Sequence, residues 1–206
     1  MAGLRERQKA DRARRILEAA SDRFRRFGYD AALMEDIAEQ ADVSVGTLYN
    51  YFGTKGDVLI AIVSLEVEEI LAEGAPLVAA PCPDPERAVA TLIGLYYDHS
   101  LIYLSKAMWR TAIAMAIRSP DSPASRRYTA LDARLTDQVC ALVASLQARG
   151  SVRSDIDTRA VGETLFNTLN QMFLEFTRDE AQTLAALKAR VAAQNRPLLR
   201  LISASA

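Results

Sequence analysis

Residues 43–55, VSVGTLYNYFGTK, place hydroxyl, amide and aromatic groups between apolar side chains. At about 100° per residue, Val45, Leu48 and Phe52 fall in one narrow sector, as in a helix that is buried along one side. The opposite side carries polar groups around a position without a side chain, namely Gly46, Thr47, Tyr49 and Asn50. The pattern predicts a short surface helix whose outer face a flat partner can approach closely.

A second short helix is predicted directly before this one. Residues 33–41 have helical apolar spacing, and the tight Asp42-Val43-Ser44 joins them to a helix over residues 45–52. Ser44 is a suitable N-cap, and the first-turn amides with the positive end of the helix dipole favour a nearby phosphate. Such a pair is typical of a helix-turn-helix, whose second helix fits the major groove of B-DNA.

The outer face of the second helix offers specific groups to DNA. Asn50 is suited to pair with an adenine edge, and Thr47 is suited to contact a thymine methyl group. Tyr49, Tyr51 and Lys55 are suited to contact phosphates, which position a protein without reading sequence.

The charge distribution bears on this hypothesis. Residues 1–27 carry nine basic and four acidic side chains, whereas residues 28–60 carry six acidic side chains and one basic one, and the whole chain has a formal charge of −1. A basic first helix, over about residues 7–27, attracts a polyanion even on a neutral protein. On spacing alone, an ordinary amphipathic surface helix at residues 45–52 is an equal alternative, and the basic first helix favours DNA.

Residues 16–59, ILEAASDRFRRFGYDAALMEDIAEQADVSVGTLYNYFGTKGDVL, resemble the N-terminal domain of the TetR family of transcriptional regulators. The matching features are FRRFGY at the end of the first helix, DIA at residues 36–38, VSVGTLYNYF, and Lys55 followed by Leu59. The resemblance covers these 44 residues of the 206.

The resemblance implies a dimeric regulator, most often a repressor, that binds a palindromic double-stranded DNA operator and whose second domain binds a small molecule. By the family pattern, Thr47, Tyr49 and Lys55 contact DNA, and Val45 and Gly46 lie close to base edges. The complete predicted DNA-binding set is Ser44, Val45, Gly46, Thr47, Tyr49, Asn50, Tyr51 and Lys55.

Two residues depart from the family pattern. Leu33 replaces the threonine that usually opens the second helix and contacts a phosphate, so we expect either loss of that contact or an earlier helix start capped by Asp30. Asp42 replaces the usual glycine of the turn, where it tolerates a left-handed backbone but adds a negative charge near DNA.

The rest of the chain indicates an all-α fold. Half of the 206 residues are apolar, and proline and glycine divide them into about nine helical segments without a strand pattern. We predict a three-helix DNA-binding domain over residues 1–55 and a larger helical ligand-binding and dimerisation domain over residues 56–206. Residues 74–85, with four prolines, are predicted to form a loop, and residues 85–104 a continuous helix.

Residues 96–115, YYDHSLIYLSKAMWRTAIAM, concentrate aromatic residues, methionines and the only histidine. Core filling is the ordinary explanation for such residues, and a pocket for a small apolar or aromatic ligand is the functional one. The family resemblance favours a pocket in this region. The predicted ligand-binding set is Tyr96, His99, Tyr103, Trp109, Met115 and Asn167.

The last two predicted helices carry apolar stripes that favour a homodimer. One stripe consists of Val161, Leu165, Leu169, Met172 and Phe176, and the other consists of Leu184, Leu187, Val191 and Leu198. Both stripes belong either to the core or to a four-helix interface between two copies, and reading two half-sites requires a dimer.

Other classes of protein have little support in the sequence. Neighbouring Asp98-His99-Ser100 point about 100° apart on a helix, and the chain lacks nucleophile-elbow, P-loop and dinucleotide motifs, so neither an enzyme nor a cofactor is expected. Cys82 and Cys140 have no metal-ligand spacing, so no metal site is expected. Without a membrane-length apolar run or a signal peptide, we expect a cytoplasmic protein with no membrane partner.

Two further hypotheses stay open at this point. One is a helical small-molecule-binding or catalytic protein whose DNA-binding domain is vestigial. The other is a protein that coats DNA with little sequence preference.

Overall fold

The computed structural model describes residues 3–204, in which nine helices form the architecture. This confirms the predicted all-α fold. The helices are α1 (Leu4–Phe27), α2 (Met34–Gln40), α3 (Val45–Tyr51), α4 (Lys55–Ala79), α5 (Pro85–His99), α6 (Lys106–Arg118), α7 (Pro123–Ala148), α8 (Thr158–Arg178) and α9 (Leu184–Ile202).

The chain forms two compact units, and α4 and α7 contribute to both. The first unit comprises Met1–Leu65 and Ile102–Tyr128, and the second comprises Glu66–Leu101 and Thr129–Ala206. This division follows packing, whereas the predicted boundary at residues 55 and 56 divides the chain by function and stays a prediction.

The first unit buries one apolar stripe of each short helix. Ile37 of α2 and Leu48 of α3 are fully buried, as are Ile16 of α1 and Leu59 of α4. This shared core fixes the helix-turn-helix against the first and fourth helices, because a close-packed interior resists rotation of any one element.

In the core of the second unit, Tyr97 of α5 contacts α8. The Tyr97 hydroxyl donates a hydrogen bond of 2.9 Å to the Leu169 carbonyl, and its ring stacks on Phe173 with 6.1 Å between centroids. Most of the predicted dimerisation stripe also faces this core, because Leu165, Leu169, Met172, Phe176, Leu187 and Val191 are all buried within the protomer.

The predicted loop over residues 74–85 was wrong in its first half. α4 continues through Pro76 to Ala79. Gly74 is a packing position, since a Cβ there would lie 2.6 Å from Gln138 Oε1. Pro76 has no N–H to donate to the carbonyl of Ala72, four residues earlier in the helix. Ala72 is exposed, so its carbonyl can accept a hydrogen bond from water, and the helix tolerates the proline.

The predicted continuous helix over residues 85–104 was also wrong in its last part. α5 ends at His99, and α6 begins only after Ser105, whose side chain accepts a hydrogen bond of 3.3 Å from the Met108 amide. The serine at this position offers an N-cap, which competes with continuation of the helix.

Candidate functional site

The helix-turn-helix is closed by local hydrogen bonds. Ser44 has an extended backbone, and its hydroxyl accepts a hydrogen bond of 3.1 Å from the Thr47 amide, which confirms it as the N-cap of α3. Asp42 has φ 55°, the left-handed conformation expected in the turn. The turn therefore keeps the usual backbone geometry without glycine, at the cost of a fully solvated carboxylate.

α3 has the predicted division between buried and exposed faces. Leu48 is fully buried, and Val45 and Phe52 are half-buried. On the other side, Tyr49 is 46% exposed, Gly46 and Asn50 are also exposed, and Thr47 is half-buried. A Cβ added at Gly46 would meet no atom within 4 Å, so the space beside the backbone is open there.

Tyr51 has a position different from the other aromatic residue of α3. It is half-buried, and its ring centroid lies 6.2 Å from that of Phe52. A half-buried tyrosine can pack its ring on neighbouring residues and use its hydroxyl for a polar partner.

Lys55 is held by the loop that precedes α2. Its Nζ donates hydrogen bonds to the carbonyls of Asp30, at 2.9 Å, and Ala32, at 3.2 Å. It also lies 4.8 Å from the centroid of the Tyr29 ring, in a cation–π contact. An ammonium group has three N–H donors, so one remains for a further acceptor.

Burial and the neighbouring carboxylates of Asp30 and Asp57 raise the pKa of Tyr29, so its hydroxyl stays protonated. The neutral ring is therefore a stable partner for the Lys55 ammonium. Sequence analysis missed this arrangement because backbone carbonyl acceptors leave no signal in the residue types.

The structure excludes the alternative in which Asp30 caps an earlier start of α2. The helix begins at Met34, and Leu33 occupies the N-cap without a side-chain hydrogen bond. The Leu33 side chain is 56% exposed, so this position presents an apolar group instead of a hydroxyl.

Several arginines of α1 lie beside acidic groups. Arg15 is 3.8 Å from Asp42, which places a cation next to the turn that carries the extra carboxylate. Arg23 is 3.9 Å from Asp36 of α2. The exposed Arg15–Asp42 pair contributes little to stability, and both pairs reduce the local positive potential of α1.

The predicted ligand residues are distributed over both units. Tyr96 and His99 lie on α5 in the second unit, whereas Tyr103, Trp109 and Met115 lie in the first unit. Asn167 is exposed on α8. Their assignment as a binding set stays a prediction.

Tyr96 and His99 make polar contacts to neighbouring helices. The Tyr96 hydroxyl donates a hydrogen bond of 2.8 Å to Gln138 Oε1, and Gln138 Nε2 donates one of 2.9 Å to the Leu71 carbonyl. His99 Nε2 lies 3.1 Å from Glu73 Oε2. Burial raises the pKa of Tyr96 far above its ordinary value, so its hydroxyl acts as a donor.

Gln138 was missed in the sequence analysis, although its position carries a signal. It lies on the same stripe of α7 as Leu131, Leu135 and Leu142. A polar residue on an apolar stripe indicates a specific hydrogen bond, because a buried amide needs partners.

Within the first unit, α6 packs on the start of α4. A Cβ at Gly56 would clash with Cε of Met115, so this close contact depends on the glycine. Met115 also lines a groove of about 980 Å³ together with Arg110 and Arg118. The residue directly before Gly56 is Lys55, which links this contact to the predicted DNA-binding set.

Residues 3–204 contain neither a group of three His, Cys, Asp or Glu side chains arranged to hold a metal ion nor a helix long and apolar enough to cross a membrane.

Comparison with known proteins identifies the N-terminal region. Residues 16–62 match the family model described as bacterial regulatory proteins, tetR family. The chain is 42% identical over 64 residues to the HTH-type transcriptional repressor KstR of Rhodococcus jostii (strain RHA1), a match that covers 31% of this chain. The matched stretch spans only 30% of the length of that relative.

Two solved structures share the fold over nearly the whole chain. The fatty acid degradation regulator FadR from Bacillus halodurans is 22% identical with a TM-score of 0.66, and 90% of this chain and 97% of that one are covered. The transcriptional repressor FadR of Thermus thermophilus, solved in complex with lauroyl-CoA, is 24% identical with a TM-score of 0.63, and the coverage is 91% and 93%.

The helix-turn-helix geometry and the match of residues 16–62 agree with each other. In this region, residues 16–62, the chain is similar to bacterial regulatory proteins of the tetR family.

Proposed function

We propose that this chain is a homodimeric, non-enzymatic transcriptional repressor that binds a palindromic operator and is released by a small molecule. The observation that carries the proposal is the capped α3, which is anchored by fully buried Leu48 and displays Tyr49 and Asn50 to solvent. A rigid helix with a polar outer face fits the major groove.

The outer face supplies two kinds of contact. The Asn50 amide pairs with the N6 and N7 atoms of an adenine, and the Thr47 methyl group packs on a thymine. Open space beside Gly46 allows the groove wall to approach the backbone. Ser44, Val45, Tyr49 and Tyr51 complete the surface, the tyrosine hydroxyls through phosphates.

Lys55 contributes to DNA binding through its third N–H. Because two of its donors already hold the carbonyls of Asp30 and Ala32, the ammonium has a fixed position beside α2. A phosphate placed there receives a charged hydrogen bond with little loss of side-chain entropy.

We assign residues 1–55 to DNA binding and residues 56–206 to ligand binding and dimerisation. The predicted ligand set, from Tyr96 to Asn167, combines apolar surface with hydroxyl, imidazole and amide groups that orient a ligand. The T. thermophilus repressor was solved with lauroyl-CoA, so acyl-CoA thioesters are the first ligands to test.

The contact between Met115 and Gly56 supports a route from ligand to DNA. A shift of α6 changes the position of Met115, which packs on the start of α4 next to Lys55. A ligand that binds more tightly to one position of α6 shifts the protein towards that state. The affinity for DNA then falls, and the size of the fall is set by how much more tightly the ligand binds one state than the other.

We place the dimer contact on the last two helices. The buried stripes of α8 and α9 stabilise each protomer, whereas Leu184 and Leu198 are half-buried and Leu201 is 69% exposed. These leucines offer α9 an apolar surface for a symmetry mate, as in a four-helix interface.

Selection from a random DNA library by the purified full-length protein tests the proposal. We expect enrichment of a palindrome whose half-sites are about 34 to 36 Å apart or a multiple of that distance. Asn50→Ala is the matched variant, because it should enrich a site that is relaxed at one position in each half.

The other outcomes of the selection identify the alternatives. Retention of DNA without enrichment would indicate a nonspecific DNA-coating protein. No retention at low and moderate salt would indicate a helical binding protein or enzyme with a vestigial DNA-binding domain.

A further inference from the structure

Met115 of α6 is the least buried methionine among residues 3–204. Met34, Met108 and Met172 are buried, with 6%, 1% and 4% of their surface exposed. Met115 is half-buried and lines the groove of about 980 Å³ in the first unit. Since a thioether has to meet an oxidant to react with it, Met115 should be oxidised before the other three.

The same side chain covers the start of α4. If Gly56 carried a Cβ, that atom would clash with Cε of Met115 and would lie 3.7 Å from its Sδ. Gly56 is buried and directly follows Lys55, the predicted phosphate contact. A chemical change at the Met115 sulfur would therefore be felt beside the predicted DNA-binding surface.

The backbone at Met115 is hydrogen-bonded on both sides of the turn that follows α6. The Met115 carbonyl accepts from the Ser119 amide, at 3.1 Å, and from the hydroxyl of buried Ser125 at the start of α7, at 3.3 Å. The methionine side chain itself has three rotatable bonds. A change at the sulfur can therefore act through the side chain, without a shift of α6.

The groove offers a hydrogen-bond donor to a polar form of this side chain. Arg118 is exposed and lies three residues after Met115 on the same side of α6, and both residues line the groove. Beside Gly56, in contrast, the Thr54 hydroxyl already donates to Asp57, at 2.7 Å. A sulfoxide oxygen is a strong acceptor, so it is better placed in the groove near a guanidinium than against the buried backbone.

We propose that hydrogen peroxide oxidises Met115 to the sulfoxide, which turns away from Gly56 into the groove beside Arg118 and so weakens DNA binding. The sulfur lone pair attacks one peroxide oxygen, the O–O bond breaks, and the proton of the attacked oxygen passes to the leaving oxygen, which departs as water. Sulfur loses two electrons and the peroxide gains them. Only the effect on DNA rests on the proposed function.

The first measurement needs no DNA. Full-length protein is treated with hydrogen peroxide, and mass spectrometry follows the oxidation of each methionine with time. We expect Met115 to be oxidised several times faster than Met34, Met108 and Met172. In the oxidised protein, hydrogen exchange over residues 55–62 should become faster, because Gly56 loses its cover.

The second measurement compares affinity for the selected operator before and after oxidation. The oxidised wild type should bind at least about fivefold more weakly, the lower end of ordinary coupling between two sites. Methionine sulfoxide reductases with dithiothreitol, which removes the oxygen as water and becomes a disulfide, should restore the affinity.

Two variants separate Met115 from other oxidised groups. Met115→Leu keeps an apolar side chain without sulfur, so peroxide treatment should leave its DNA affinity at the untreated value. Cys82→Ser removes a half-buried thiol and should respond to peroxide as the wild type does.

Oxidation of another of these methionines as fast as Met115 would overturn the assignment of the site. Unchanged hydrogen exchange over residues 55–62 would overturn the movement away from Gly56. An equal loss of DNA affinity in Met115→Leu, or no loss in the oxidised wild type, would overturn the effect on DNA. A protein that binds no DNA before oxidation would contradict the repressor proposal, while the oxidation rates and hydrogen exchange would still decide the site.

Discussion

Substitution of Asn50 tests whether this residue contributes to sequence preference and not only to overall affinity for DNA. Its side chain is exposed in the middle of the polar face of α3, and it forms no side-chain hydrogen bond among residues 3–204. Asn50→Ala should therefore cost about 1 to 3 kcal/mol on the preferred site and relax one base position. Binding to the selected duplex and to single-base variants measures this, and an unchanged preference at every position would remove Asn50 from the role.

Lys55 combines a structural role with a predicted contact to phosphate. Lys55→Ala removes the hydrogen bonds to two carbonyls, so the free energy of unfolding should fall by about 1 to 3 kcal/mol. DNA binding should weaken for all sequences alike. The slope of the logarithm of the binding constant against the logarithm of the salt concentration should become shallower by about 1.

Denaturant unfolding and DNA titrations over a range of salt check both parts. Arg178→Ala, an exposed position on α8, controls for the change in net charge. Loss of affinity for the selected site alone would contradict the assignment of Lys55 to the DNA backbone.

At the residue scale, the sequence was sufficient where side chains follow helical periodicity. The faces of α3 and the cap at Ser44 agree with the predictions because a seven-residue helix with one apolar stripe has a single stable orientation on a core. The carbonyl partners of Lys55 were not predictable, since they depend on how the loop before α2 folds back on α4.

At the scale of elements, α6 and α4 meet through Gly56 and Met115. Gly56→Ala should force the flexible end of Met115 aside and so change the packing of α6 on the start of α4, which weakens DNA binding by a few-fold. Met115→Ala removes the obstructing atoms, so the double variant should recover the affinity of Met115→Ala alone. Anisotropy titrations of the three variants form a double-mutant cycle, and additive effects would show that the contact has no role in DNA binding.

The two errors in element boundaries have different physical causes. Gly74 and Pro76 are helix breakers by local propensity, but close packing against Gln138 and the solvent-exposed position of the proline let α4 continue. The helix predicted through Leu104 was divided by the opposite effect, since a local cap at Ser105 competed successfully with apolar periodicity. The continuation of α4 depends on tertiary contacts that a single sequence does not specify, whereas the division of the other helix depends on how a local cap competes with apolar periodicity.

At the scale of the whole molecule, stability should depend on the protonation of Asp132 in α7. Burial raises the pKa of its carboxyl from 3.8 to about 6. The folded state favours the protonated form of this carboxyl. Its contribution to the free energy of unfolding is therefore fully present below about pH 4 and is lost as the pH rises through 6.

Asp132→Asn should therefore raise the free energy of unfolding at pH 7.5, by up to about 3 kcal/mol, and the gain should shrink towards pH 4. Denaturant unfolding at several pH values measures the difference from the wild type. The exposed Asp121→Asn controls for the lost charge, and a gain that does not change with pH would rule out the titration of Asp132 as its origin.

The central claim is that two copies of α3 read two half-sites of one operator. Fluorescence anisotropy should compare the selected duplex with one that carries about five extra base pairs between its half-sites, which rotates them to opposite sides of the helix. We predict tight, salt-dependent binding of one dimer to the first duplex and a fall to the affinity of an isolated half-site for the second. Equal affinity for both duplexes and for a scrambled sequence would contradict the claim.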